Sequence, residues 1–153
     1  MELGESVKMS LKFSQIHAAM VAKMNTLTGF KQARFPVEYF GRTSNPLAHL
    51  GYAIGIQSTQ ANGNRQPTTG SGMEVFSSIK VIFAYRLRPT DAYPTDYKNA
   101  LDKEEIVTMK LLETYPSTPE LQLRYVSTSR ELPESLEFSI HTIEYQALHY
   151  LKA

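Results

Sequence analysis

The chain has 153 residues, with 16 lysines and arginines against 15 aspartates and glutamates, a formal net charge of +1. With 42% hydrophobic residues it can bury the core of one ordinary domain, which excludes both a disordered tail and a multidomain enzyme. The near-neutral total gives no global electrostatic pull toward nucleic acid or an anionic membrane, and the absence of cysteine excludes disulfides, thiolate metal sites and cysteine nucleophiles.

No run approaches the roughly 18 apolar residues that a spanning helix needs. The N-terminus, MELGESVKMS, lacks the basic-then-apolar order of a signal peptide, so a soluble protein that folds in a cytoplasm is expected. Charge is unevenly placed along the chain. Residues 1–90 carry 10 Lys/Arg and 4 Asp/Glu, a net +6, and residues 91–153 carry 6 and 11, a net −5. Scatter over solvated faces accounts for such a split; so does a surface with a basic and an acidic side, suited to head-to-tail self-association.

In chain order, Phe13, Ile16, Met20, Met24 and Leu27 follow at steps of three and four, which places them on one stripe of a helix. The expected helix is about 17 residues long, with Ser10 as N-cap and Gly29 as the C′ residue. His17 falls beside the stripe as a boundary residue. Phe35, Val37 and Tyr39 then alternate with Pro36, Glu38 and Phe40, an edge strand or the start of one. After the turn cluster GRTSNP, residues 50–57 read as a strand with Tyr52, Ile54 and Ile56 on one face, and Gly51 and Gly55 mark a bulge or a close approach.

Residues 57–72, QSTQANGNRQPTTGSG, hold no aliphatic or aromatic residue except Ala61. Asn62-Gly63 is a two-residue turn signal, so this stretch reads either as a disposable surface loop or as an arm that orders against a partner. In the following strand Ile79, Val81, Phe83, Tyr85 and Leu87 share one face. Lys80, Ile82, Ala84, Arg86 and Arg88 share the other, expected to be basic and partly solvated. Arg86 and Arg88 beside Tyr85 form ordinary sheet surface rather than a nucleic-acid stripe.

Pro89 ends that strand and RPTDAYPTDY makes a turn-rich crossover. A helix is expected over 95–115, with Tyr97, Ala100, Leu101, Val107, Leu111, Leu112 and Tyr115 gathered on its apolar face. The DKEE run at 102–105 is expected to form one solvated turn of that helix, a capping box at Asp102 and Glu105 being the alternative. Leu121, Leu123 and Tyr125 start a fourth strand, followed by the polar loop STSRELPES. In the last strand, 136–150, the apolar parity switches from Leu136, Phe138 and Ile140 to Ile143 and Tyr145, and again to Leu148 and Tyr150, which predicts bulges. The fold class expected is α+β: a largely antiparallel sheet of about five strands with two main helices packed on one side. It forms a single domain, 1–153, with a flexible polar hairpin or arm at about 57–78.

No nucleophile elbow, P-loop, dinucleotide fingerprint, H-E-x-x-H pair or EF-hand loop is present. His17 and His49 stand alone. His141 and His149 share a face of an ideal strand but lie about 26 Å apart, too far for one metal ion. A Mg-dependent nuclease would have to recruit Glu38, Asp91, Lys103 and Glu104, and the solvated-face reading of DKEE stands against it. No catalytic, cofactor-binding or metal-binding residue is therefore assigned. Nine tyrosines without a tryptophan suit either a half-wet sheet or a subunit interface.

The order of elements resembles a known family. An N-terminal helix, a strand of the FPVEYFG type, a long polar hairpin, a strong amphipathic strand, a crossover into a P-T-D-Y-x-x-A-L helix and a final strand pair look like the tail terminator (tail completion) proteins of long-tailed bacteriophages. The resemblance covers residues 10–150 and rests on order and spacing. It implies a structural virion protein, without cofactor or catalysis, whose six copies form a ring. The ring caps the tail tube at its head-proximal end, stops polymerisation and offers a docking surface to the head–tail connector. The implied partners are other copies of the chain, the tail tube protein and the connector or neck protein, with no membrane and no direct nucleic-acid readout; the implied location is the tail or neck of a virion assembled in the host cytoplasm. By position, the arm residues Asn62, Gly63, Asn64 and Arg65 would contact the tube. Deleting residues 60–70 is expected to spare the fold and abolish attachment. Another neck or connector protein is the alternative within the same class.

Overall fold

The structure, a computed structural model, describes residues 12–34, 48–61, 72–114, 121–131 and 137–151. Among the described residues two helices, α1 (Phe13–Asn25) and α2 (Tyr93–Leu112), join strands β1 (Lys31–Gln32), β2 (Gly51–Ala61), β3 (Met73–Arg86), β4 (Leu121–Glu131) and β5 (Phe138–Leu151). The strands form one sheet in the order β1-β2-β3-β5-β4. Only the two-residue β1 runs parallel to its neighbour; the other pairs are antiparallel. This is the α+β fold that the sequence predicts.

Ile16, Met20 and Met24 of α1 are fully buried, as their spacing requires. The stripe's ends are less so: Phe13 is 39% exposed. The helix is shorter than expected. Lys12, not Ser10, is its N-cap, and the Gln15 side chain accepts a hydrogen bond from the Lys12 backbone N–H; Ser10 lies outside the described residues. Gly29 stands four residues beyond Asn25, at φ +89°, where it turns the chain toward β1. A Cβ there would also meet Leu50 Cδ1 at 3.0 Å. Both helices lie on one face of the sheet. Their buried residues join Tyr52, Ile54, Ile79, Val81, Phe83, Ile143 and Tyr145 in one core.

The opposite face of β3 departs from expectation. Ile82 and Ala84 are buried there and cluster with Ala53, against Ala33, Phe138 and Ile140, so this end of the face is apolar rather than basic. The strand expected at 35–39 and the turn GRTSNP lie outside the described residues. The bulge in β2 falls between Ile56 and Ser58 rather than at Gly51 or Gly55. Beyond it the strand continues, Ala61 opposite Val75; residues 57–61 and 73–78 are thus two limbs of one antiparallel hairpin.

β5 contradicts the parity switches. Its register against β3 runs unbroken from Met73 opposite Leu151 to Arg86 opposite Phe138. The buried face of the strand is Ser139, His141, Ile143, Tyr145, Ala147 and His149. An apolar count misreads that face because three of its six residues are polar. β4 also extends further than expected. STSRE, read as loop, pairs with β5 as far as Glu131 opposite Ile140, and the bulge of this region lies in β4, between Tyr125 and Ser127. α2 is continuous through 102–105, as the single-helix reading has it, and it begins at Tyr93 with Pro94 in its first turn.

Candidate functional site

Glu104 corrects the solvated-face reading of DKEE. Along α2 it falls in phase with the buried Ala100, Val107 and Leu111, and it is itself only 7% exposed. Its carboxylate meets two strands. Arg130 of β4 donates from Nε to Oε1 at 2.8 Å and from Nη2 to Oε2, the two-pronged geometry that suits a guanidinium. His141 of β5 places Nδ1 2.7 Å from Oε1. An ionised carboxylate only accepts, so Nδ1 carries the proton. Nε2 then accepts from the Ser139 hydroxyl at 2.8 Å. Phe83 stacks on the imidazole, ring centroids 4.7 Å apart and planes within 6°.

The electrostatics follow from this arrangement. Burial works to raise the Glu104 pKa, but the hydrogen bonds from Arg130 and His141 together outweigh it and hold the carboxyl below its ordinary range. Burial lowers the His141 pKa, against the opposing pull of Glu104. Arg130 already balances the carboxylate, so a neutral imidazole leaves the cluster without net charge. Ser139, His141 and Glu104 have the order of a hydroxyl, base and orienting acid, yet Ser139 and His141 are both fully buried. The cluster ties α2 to β4 and β5 from within.

A second buried polar chain lies at the hairpin end of the sheet. Ser77 Oγ is 2.7 Å from His149 Nε2 and 3.0 Å from Thr59 Oγ1, and the Phe13 ring meets the His149 ring edge-on. The remaining histidines are also partnered. His17 Nε2 lies 3.0 Å from the Ile54 carbonyl oxygen, the boundary role expected of it. His49 Nδ1 accepts from the Arg86 backbone N–H at 3.0 Å, and burial, then the nearby Arg86 charge, lowers its pKa. Arg88 grips Asp96 through Nε and Nη2 at 3.0 and 2.8 Å; these bonds hold the Asp96 pKa down to about 2.

Among the described residues the candidate nuclease set does not assemble. Glu104 is turned inward, Asp91 lies in the turn before α2, and Glu38 is outside the described residues. Among the described residues no group of three or more His, Asp or Glu is placed to hold a metal ion. Asn62, Gly63, Asn64 and Arg65 also lie outside the described residues.

The outer surface has two sides. α1 packs over β1 and β2, and α2 over β4 and β5, so the two halves of the chain lie side by side. Among the described residues the half up to residue 90 has seven cations against one anion, a net +6, and the half from residue 91 has five against nine, a net −4; two of those nine, Asp96 and Glu104, are buried and paired with Arg88 and Arg130. Neither described helix is long and apolar enough to cross a membrane. Compared with known proteins, the chain matches no family model, and no curated sequence matches it significantly.

Proposed function

We propose that this chain is a structural virion protein of a long-tailed bacteriophage, a tail terminator. Its copies join head to tail in a ring, a hexamer as in the family it resembles. The ring ends polymerisation of the tail tube at its head-proximal end and offers a docking surface to the head–tail connector. It acts by assembly, without catalysis or cofactor, in the tail or neck of a virion put together in the host cytoplasm. The observation that carries this reading is the lateral charge division. A basic side and an acidic side on one domain suit a heterologous interface, which closes into a ring when the rotation allows. The order helix, hairpin, long strand, helix, strand pair supports it too.

The test is native mass spectrometry of the chain alone, followed by negative-stain imaging of the chain mixed with tail tubes. A ring mass and added density at one tube end are expected. Tubes left bare at both ends would overturn the terminator role, and density on isolated connectors instead of tubes would move the chain to the neck. In this reading Asn62, Gly63, Asn64 and Arg65 touch the tube. Replacing the tip between Ala61 and Gly72 with a two-residue turn then leaves the fold intact and removes capping.

A serine hydrolase is the second reading, favoured by the Ser139–His141–Glu104 geometry and opposed by the burial of the first two. A fluorophosphonate probe is expected to leave Ser139 unlabelled; a stoichiometric adduct would reverse the ranking.

A further inference from the structure

We propose that the outward stripe of α2 is the surface by which one copy docks on the α1–β1 side of the next, an inference that rests on the ring reading above. Asp102, Glu105, Ile106, Met109 and Glu113 follow at helical spacing, the last just past the end of α2. They share the face opposite Ala100, Glu104, Val107 and Leu111. Ile106 is 47% and Met109 59% exposed, and the three acidic residues around them are exposed as well. Among the described residues Glu113 pairs with Lys110 on the same helix at 3.4 Å, and exposed Lys98 lies at the start of the same face, one turn before Asp102. About half of each of the apolar side chains Ile106 and Met109 is left in water by the folded domain. An apolar centre inside a charged rim is the composition of a docking surface.

The patch continues onto β4. The Tyr125 ring packs edge-on against Tyr145, whose hydroxyl donates to the Thr108 carbonyl at 2.9 Å. Tyr125, 46% exposed, therefore lies at the margin between α2 and β4, by the turn that carries Met109. The edge of β4 itself does not offer strand pairing of any length, because the bulge at Tyr125/Ser127 and the charges of Arg124 and Arg130 break it up.

Charge complementarity identifies the occupant as a second copy. α1 and β1 contain no acidic residue, and Lys12, Lys23 and Lys31 stand on or beside them, Lys12 and Lys31 exposed. Phe13, next to Lys12 and 39% exposed, is the apolar counterpart of Ile106 and Met109. The two surfaces are made of different residues, so the contact is heterologous and repeats from copy to copy.

Sedimentation velocity on the full chain tests this with two sets of variants, each checked by thermal unfolding. Ile106→Gln with Met109→Gln is expected to give monomers that still unfold in one cooperative transition, each side chain being only half covered in a single copy. Asp102→Lys with Glu105→Lys is expected to weaken association about tenfold or more, and Lys12→Glu with Lys31→Glu in the same chain to restore it. Variants that keep the wild-type mass would overturn the docking stripe and leave the ring reading standing. A wild-type chain that stays monomeric, its stripe then serving a different protein, would overturn it as well. The terminator role fails by a separate result, an assembled oligomer that does not sit on tube ends.

Discussion

Replacing Glu104 with alanine removes the joint between α2 and two strands, and its cost can be worked from the geometry. His141 Nδ1–H is left buried without an acceptor, a penalty of about 1–3 kcal/mol. Arg130 loses its partner too, but its side chain is 44% exposed and returns to water, so that loss counts for about 1 kcal/mol or less. Together the expected destabilisation is about 3 kcal/mol, a fall in Tm of about 6–12 °C for a domain of this size. Urea unfolding followed by circular dichroism measures it, with Glu105→Ala, one position along and exposed, as control within about 0.5 kcal/mol of wild type. Equal effects at 104 and 105 would refute the buried joint.

The same cluster sets a pH dependence whose sign is fixed. His141 has a folded pKa below its ordinary 6.5, so the unfolded chain takes up its proton first. The stability it supports is complete above about 6.5 and is lost as pH falls below that value. Glu104, also lowered from its ordinary 4.5, contributes above that value and loses its contribution as pH falls through its folded pKa. Unfolding free energy should therefore decline from pH 7 to 5, and His141→Gln should flatten that part of the curve. A wild-type curve level over this range would contradict the neutral, buried imidazole.

Two further predictions concern packing. Met20→Ala in the fully buried stripe of α1 should cost about 2–5 kcal/mol through lost burial and the cavity left behind; calorimetry measures it, and a cost below 1 kcal/mol would show α1 loosely held. Gly72→Ala would put a Cβ 2.5 Å from the Leu151 carbonyl oxygen and the Tyr150 ring, a backbone clash that must shift the start of β3 against the end of β5. Faster amide exchange at Met73–Val75 is expected, and unchanged protection there would refute the close approach.

The sheet and both helices were legible because their core residues repeat at two and at three to four. β3 alternates cleanly, and Ile16, Met20 and Met24 are aliphatic at every buried turn. Where legibility failed, buried polar groups were satisfied by partners distant in sequence. Ser139, His141 and His149 occupy core positions of β5, and the residues that make this tolerable, Glu104 and Ser77, lie on other elements. An apolar count therefore switches faces at each of them and invents bulges. Glu104 was hidden by its neighbours Lys103 and Glu105, although its helical phase with Ala100, Val107 and Leu111 marks it as inward. STSRE read as loop because an edge strand can be polar on its exposed side; only Arg130 reveals its place, through a contact with α2.

The charge division depends on topology more than on composition. Net charges of +6 and −5 along a chain say nothing about sides, since strands from the two halves of a sequence can alternate in a sheet and mix their charges. Here the chain leaves β3 through α2, lays β4 at the far edge and returns with β5 between β4 and β3. Only the β3–β5 seam joins the two halves of the sheet, and it crosses near the middle of the domain. α1 packs over β1 and β2 and α2 over β4 and β5, the two helices meeting on the same face, and Arg88 of the first half is already paired with Asp96 of the second within one copy. The exposed lysines of α1 and β1 and the exposed acids of α2 are the charges that the head-to-tail contact proposed above would bring together.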